Sequence, residues 1–218
     1  MLNGHQNGHQ KNHPLVEISS NGKMENHIRS YARKLQQALD LDAMTIIPQL
    51  GFALLSAWRS NKTVYLCGNG GSAGNAIHMA NDFIYGAGMK VGGGISVEAL
   101  SANPAVVTCL ANDLGYEHIY SQQLKVKANA GDVLIALSGS GNSANIVQAL
   151  KVGNEIGMKT FAILGYSGGK CKEIAQVPIH FTVDDMQIAE DLQLIVGHIC
   201  MQWLCEESAK ESKIMAVK

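Results

Sequence analysis

Ser138-Gly139-Ser140-Gly141-Asn142-Ser143 follows the apolar run Val133 to Leu137 and precedes a helical pattern from Ala144 to Ile156. Glycines let a backbone turn closely around an anion, N–H groups at a helix start point toward it, and three serine hydroxyls add donors. A second loop of the same kind, Cys67-Gly68-Asn69-Gly70-Gly71-Ser72, follows the strand-like stretch from Thr63 and opens a helix bearing His78 and Asp82. Either loop alone is compatible with an ordinary strand-to-helix turn. Together they predict one pocket for a small phosphorylated molecule beside an ionisable pair.

Outward from these loops the chain alternates strand, loop and helix. Short apolar strands are predicted at Thr63 to Cys67, Gly94 to Val97, Val133 to Leu137, Thr160 to Leu164 and Pro178 to Thr182. Helices are predicted at Ser72 to Tyr85, Pro104 to Leu110, Tyr116 to Val126 and Ala144 to Ile156, with a short turn from Lys170 to Ala175. Continuous apolar strands between helices imply an α/β fold with a parallel sheet covered on both faces, and ligands sit outside the carboxyl ends of such strands. Two further helices precede this unit, one striped by Ile28, Tyr31, Leu35 and Leu39, the next by Ile47, Leu50, Leu54 and Trp58, with Pro48 near its start. A long last helix, Met186 to Ser212, is apolar on more than one face (Leu192, Ile195, Val196, Ile199, Trp203), which suggests burial against a second subunit. The expected organisation is a disordered polar tail over 1–23, a single domain over 24–212 and a C-terminal tail over 213–218. The first tail repeats Asn-Gly-His-Gln and places His5, His9 and His13 four apart, but Gly4, Gly8 and Pro14 oppose the helix that would gather them on a metal.

Composition narrows the partners. A formal net charge of −1 with interspersed signs gives no reason to expect nucleic acid. The lack of a signal-like N-terminus and of an apolar run near the roughly 20 residues that span a bilayer gives an expectation of no membrane and a cytoplasmic location. Cys67, Cys109, Cys171, Cys200 and Cys205 are scattered without a Cys-x-x-Cys pair, so reduced thiols are expected rather than a disulfide frame. Cys67, which opens the Cys67–Ser72 loop, reads as a small core residue.

The Cys-Gly-Asn-Gly-Gly-Ser run, the histidine on the following helix, Ala111-Asn112-Asp113, the Ser-Gly-Ser-Gly-Asn-Ser loop and Gly197-His198 on the last helix together resemble the sugar isomerase (SIS) domain family, and within it the phosphoheptose isomerases. The likeness runs from about Met24 to Glu207. It implies a three-layer αβα sandwich with a five-stranded parallel sheet, and a homotetramer whose active sites lie at subunit contacts. Ser138, Ser140 and Ser143 would hold the phosphate, with Gly139 where the family often has Thr. Asn69, Gly70, Gly71 and Ser72 would meet the sugar or its phosphate, and Asp113 another part of the open-chain sugar. His78, Asp82, Glu190 and His198 match the family's metal positions, with zinc as the metal, Glu190 also facing substrate, and His198 moving protons. The sequence departs from the family in carrying Asp82 for Glu, Glu190 for Gln, Gly86 near a basic position and Gln187 at an acidic one.

Spacing weighs these matches. His78 and Asp82, four apart, share one helix face, whereas Glu190 and His198 are about 12 Å apart along a helix axis and would need long side chains leaning together. Two imidazoles and two carboxylates suit zinc, and Glu for Gln adds negative charge around it. An aldose–ketose interchange through a cis-enediol needs one base, one acid and shielding from water, roles expected of Asp82 and His198. The reaction that the resemblance implies is sedoheptulose 7-phosphate to glycero-manno-heptose 7-phosphate. An isomerase of another phosphosugar, and a non-catalytic protein that binds a phosphosugar or a protein partner, stand as the alternatives.

Overall fold

The computed structural model describes residues 22–88 and 93–216. The repeat and histidines of the N-terminal tail lie outside them. Strands β1 (Val64–Cys67), β2 (Val97–Ala99), β3 (Val133–Ser138), β4 (Lys159–Leu164) and β5 (Val177–His180) form one sheet in the order β2-β1-β3-β4-β5, every neighbouring pair parallel. All residues of β1 and β3 are buried, as central strands covered on both sides must be.

Side chains alternate between two cores. Val64, Leu66, Ile135, Leu137 and Ile163 face a layer of α1 (Lys23–Leu39), α2 (Ile47–Arg59), α3 (Gly71–Asn81) and α8 (Met186–Ala216). Tyr65, Cys67, Leu134, Ala136 and Ala162 face the opposite layer of α4 (Pro104–Leu114), α5 (Ser121–Lys127), α6 (Ala144–Ile156) and α7 (Gly169–Ile174). The molecule is the expected three-layer sandwich. Because α3 and α6 leave β1 and β3 toward opposite faces, strand order reverses between those two strands. A crevice opens at their carboxyl ends, where ligands bind in such sheets. Among the described residues no single helix is long and apolar enough to cross a membrane.

Several boundaries differ from the sequence reading. The expected helix over Ser72 to Tyr85 breaks at Asn81 into a π-helical turn, Asp82–Gly86, closed by Ala87 N–H donating to the Asp82 carbonyl at 3.0 Å. The second strand begins at Val97 rather than Gly94: Ile95 N–H bonds the Phe83 carbonyl instead of a strand, and a Cβ on residue 94 would lie 1.8 Å from the Ile84 oxygen. That segment is spent packing against the helix end. The helix expected over Tyr116 to Val126 is a 3₁₀ turn, Tyr116–His118, followed by α5, and the last helix continues to Ala216.

Cys67, Cys171 and Cys200 are buried, and burial pushes their thiols up, Cys171 and Cys200 to about 12. Iodoacetamide on the native protein should therefore leave Cys67 unmodified until denaturant is added, checked by peptide mass spectrometry. Early modification of Cys67 would contradict the packing of β1.

Candidate active site

Both glycine-serine loops line one cavity of about 290 Å³, with Asn69, Gly70, Gly71, Ser72, Ser138, Gly139, Ser140, Ser143, Met186 and Glu190 around it. The first turns of α3 and α6 both reach this cavity, so the positive ends of two helix dipoles meet there. Gly70 opens α3 at φ 54°, ψ −121°, a conformation that side chains resist. The serines are arranged as donors. Ser138 Oγ accepts from Gly141 N–H at 3.0 Å and Ser140 Oγ from Asn142 N–H at 3.3 Å, which leaves each hydroxyl hydrogen for an anion. Ser143 is the N-cap of α6, yet its hydroxyl makes no capping bond. Ser72 Oγ accepts from buried Gln193 Nε2 at 3.0 Å, and Gln193 Oε1 accepts from Asn75, so α3 is fastened to α8 beside the pocket. The carbonyl of Gly68, within the Cys67–Ser72 loop, is held by the Tyr120 hydroxyl.

A second cluster lies further along α3 and α8. His78 Nε2 is 3.0 Å from His198 Nε2, and Asp82 Oδ2 is 3.4 Å from each. His78 stands seven residues past Gly71, about 10 Å down the helix, a span suited to an extended sugar chain with phosphate at one end and its carbonyl at the other. The Asp82 side chain is 17% exposed but the two imidazoles 49% and 43%, and Ile77, Ile84, Tyr85 and Ile199 are exposed nearby. The donor set fits zinc. Two imidazole nitrogens and a carboxylate oxygen are usual ligands, and their separations are close to the ~3.3 Å edge of a tetrahedron with bonds of about 2.0–2.1 Å.

The SIS domain family model matches residues 26–165. A phosphoheptose isomerase of Aneurinibacillus thermoaerophilus is 31% identical over 199 residues, covering 91% of this chain and all of that protein. The chain belongs to the phosphoheptose isomerase family of SIS-domain proteins. A relative of the same name from Rhodospirillum rubrum is 33% identical over 181 residues, covering 81% of this chain and 94% of its own. The solved phosphoheptose isomerase of Neisseria gonorrhoeae superposes with a TM-score of 0.76 at 27% identity, covering 83% of this chain and 96% of that one.

Within this family, the departures noted in the sequence take physical form. Asp82, shorter than Glu by a methylene, still reaches both histidines from the first residue of the π-helical turn. Glu190 is not gathered with the histidines: its carboxylate lies at the α3 start, 2.4 Å from where a Cβ on residue 71 would stand, and lines the cavity. The eight residues between Glu190 and His198 along one helix account for the separation. Gly139 leaves room for Met186, whose sulfur would lie 2.5 Å from a Cβ on residue 139, so a thioether fills the space a side chain there would need. Asp113 is exposed on α4, accepts from Asn112 Nδ2 and lies outside the residues lining the cavity. Sequence reasoning did not find Gln193, Asn75 or Asn145, whose partners are far away in the chain.

Proposed function

We propose that this chain converts sedoheptulose 7-phosphate to glycero-manno-heptose 7-phosphate through a cis-enediol. The observation that carries the reading is the His78, Asp82 and His198 cluster one sugar length from a donor-lined anion pocket. Ser138, Ser140 and Ser143, with the α6 dipole, bind the phosphate, while Asn69 and the start of α3 hold the middle of the open-chain sugar. Asp82 takes the proton from C1 and His198 gives one to the C2 oxygen. The enediol then collapses as the O1 proton leaves and C2 is protonated. Both groups stand on helices packed side by side, which fixes their separation through the reaction.

His78, Asp82 and His198 would hold a zinc ion, which when bound would polarise the sugar oxygens as a Lewis acid. Glu190, in the cavity, accepts hydroxyl donors of the substrate. The half-exposed histidines and their apolar surroundings support a homotetramer in which a neighbouring subunit closes the site and excludes water. A cytoplasmic location accords with this chemistry.

Purified protein incubated with sedoheptulose 7-phosphate, and separately with fructose 6-phosphate, tests the reading by ³¹P and ¹³C NMR. Aldoheptose 7-phosphate should form, with fructose 6-phosphate turned over more slowly. Preference for the six-carbon ketose would establish another phosphosugar isomerase, and turnover of neither would favour a binding role.

A further inference from the structure

Asn69 and Asn145 face each other across the crevice between β1 and β3, 76 residues apart in sequence. Asn69 Nδ2 donates to Asn145 Oδ1 at 2.9 Å, and Asn145 Nδ2 donates to Asn69 Oδ1 at 2.7 Å. Asn145 is 1% exposed, in the first turn of α6. Ile146 N–H, which can only donate, is shared between the Ser143 carbonyl at 3.1 Å and Asn145 Oδ1 at 3.0 Å, and the latter bond puts the amide oxygen of Asn145 on that side. Asn145 Nδ2 must then face Asn69, so the Asn69 oxygen turns toward it. Tyr116 O–H donates to that same oxygen at 3.0 Å from the 3₁₀ turn following α4. With its oxygen taken twice and one amide hydrogen used, Asn69 keeps one N–H for the cavity it lines.

We propose that Asn145 is a positioning residue that sets the amide of Asn69, through a reciprocal pair completed by Tyr116, so that Asn69 presents a donor to the sugar. The assignment rests on the phosphosugar reading above. It ties the Cys67–Ser72 loop to the first turn of α6 and to the 3₁₀ turn that follows α4. Without Asn145 the Asn69 amide is free to turn over and offer an oxygen where a hydroxyl oxygen needs a donor.

The test compares wild type, Asn145→Ala, Asn69→Ala, the double variant and Tyr116→Phe, reading kcat and KM for sedoheptulose 7-phosphate and the Kd of inorganic phosphate by calorimetry. Asn145→Ala should lower kcat/KM about tenfold to a hundredfold, the scale of a misplaced binding group, while the phosphate Kd stays within about twofold of wild type because the serine hydroxyls are untouched. The double variant should be no worse than Asn69→Ala, since both substitutions remove one interaction. A purely structural role at the start of α6 would move phosphate affinity in step with kcat/KM, or multiply the two losses, and either result overturns the proposal. Unchanged kinetics in a folded Asn145→Ala protein does so too. If that variant does not fold, Tyr116→Phe decides from the exposed side of the network: kcat/KM should fall about twofold to tenfold with phosphate binding intact, the scale of one hydrogen bond, and no change refutes the assignment. Failure of the heptose reading appears separately, as absent turnover by wild type. Calorimetric binding of the ketose phosphate then carries the same comparison between variants.

Discussion

Asp82→Asn should lower kcat for heptose phosphate isomerisation by about 10²–10⁴-fold, the usual contribution of a positioned acid or base, with a smaller change in KM. The carboxylate stands 3.4 Å from both imidazoles and is the only carboxylate among the described residues gathered with them. An amide of the same shape keeps the packing but cannot accept a proton from carbon or carry charge beside the histidines. A loss in kcat with an unchanged melting temperature and an unchanged zinc content assigns Asp82 to the chemistry. Equal kcat in the folded variant would move the base elsewhere, with Glu190, which lines the cavity, the alternative. Asp82→Glu is informative beside it. It places a longer carboxylate on a helix turn that already reaches both histidines with the shorter one, and partial activity is expected.

Gly141→Ala should have the largest effect on the anion pocket. Gly141 sits at φ 68°, and a Cβ there would lie 1.9 Å from the carbonyl oxygen of Gly168, a backbone atom that cannot step aside as a side-chain tip could. The glycine is held on both sides, its N–H donating to Ser138 Oγ and its carbonyl accepting from Cys171 N–H. The added methyl must therefore push the serine loop off α7. A loss of about 2 kcal/mol or more is expected in urea denaturation, with inorganic phosphate binding weakened at least about tenfold, the equivalent of 1.4 kcal/mol. Gly74→Ala is the contrast. It lies inside α3 with open space around it, so the substitution should be neutral or stabilising by about 0.5–1 kcal/mol. Equal effects at the two positions would contradict the geometry of the loop.

What the sequence made legible was local. Each anion loop is a contiguous run between an apolar strand and a helix, and the identity of its residues carries its chemistry. His78 and Asp82 are one helical turn apart, so their shared face follows from helix geometry alone. His198 could be joined to them only by resemblance, since the contact depends on how α8 packs against α3. The same holds in reverse for Glu190. Its position in the family pattern pointed to the metal ligands, but its carboxylate lies beside Gly71 at the start of α3. The π-helical turn at Asp82 left no mark in the periodicity, because one extra residue per turn over five residues is too short to shift an apolar stripe. The second strand was placed too early because Gly94 to Val97 has the composition of a strand, whereas Ile95 pairs with the helix end. Asn145 and Gln193 were silent for a different reason. An Asn or Gln at a helical position ordinarily reads as a solvated surface residue, and only a partner 76 or 121 residues away turns it into a buried link.

The central claim is that the His78, Asp82 and His198 cluster moves a proton between C1 and C2 of a sugar anchored by its phosphate in the serine loop. Wild-type protein and Asp82→Asn, incubated with sedoheptulose 7-phosphate in heavy water with added zinc and again with chelator, test it by NMR at C1 and C2. Aldoheptose 7-phosphate carrying deuterium at C2 should appear with wild type and be nearly absent with the variant. Undiminished deuterium incorporation by the folded variant, or no exchange by wild type in either condition despite binding of the ketose phosphate, would contradict it.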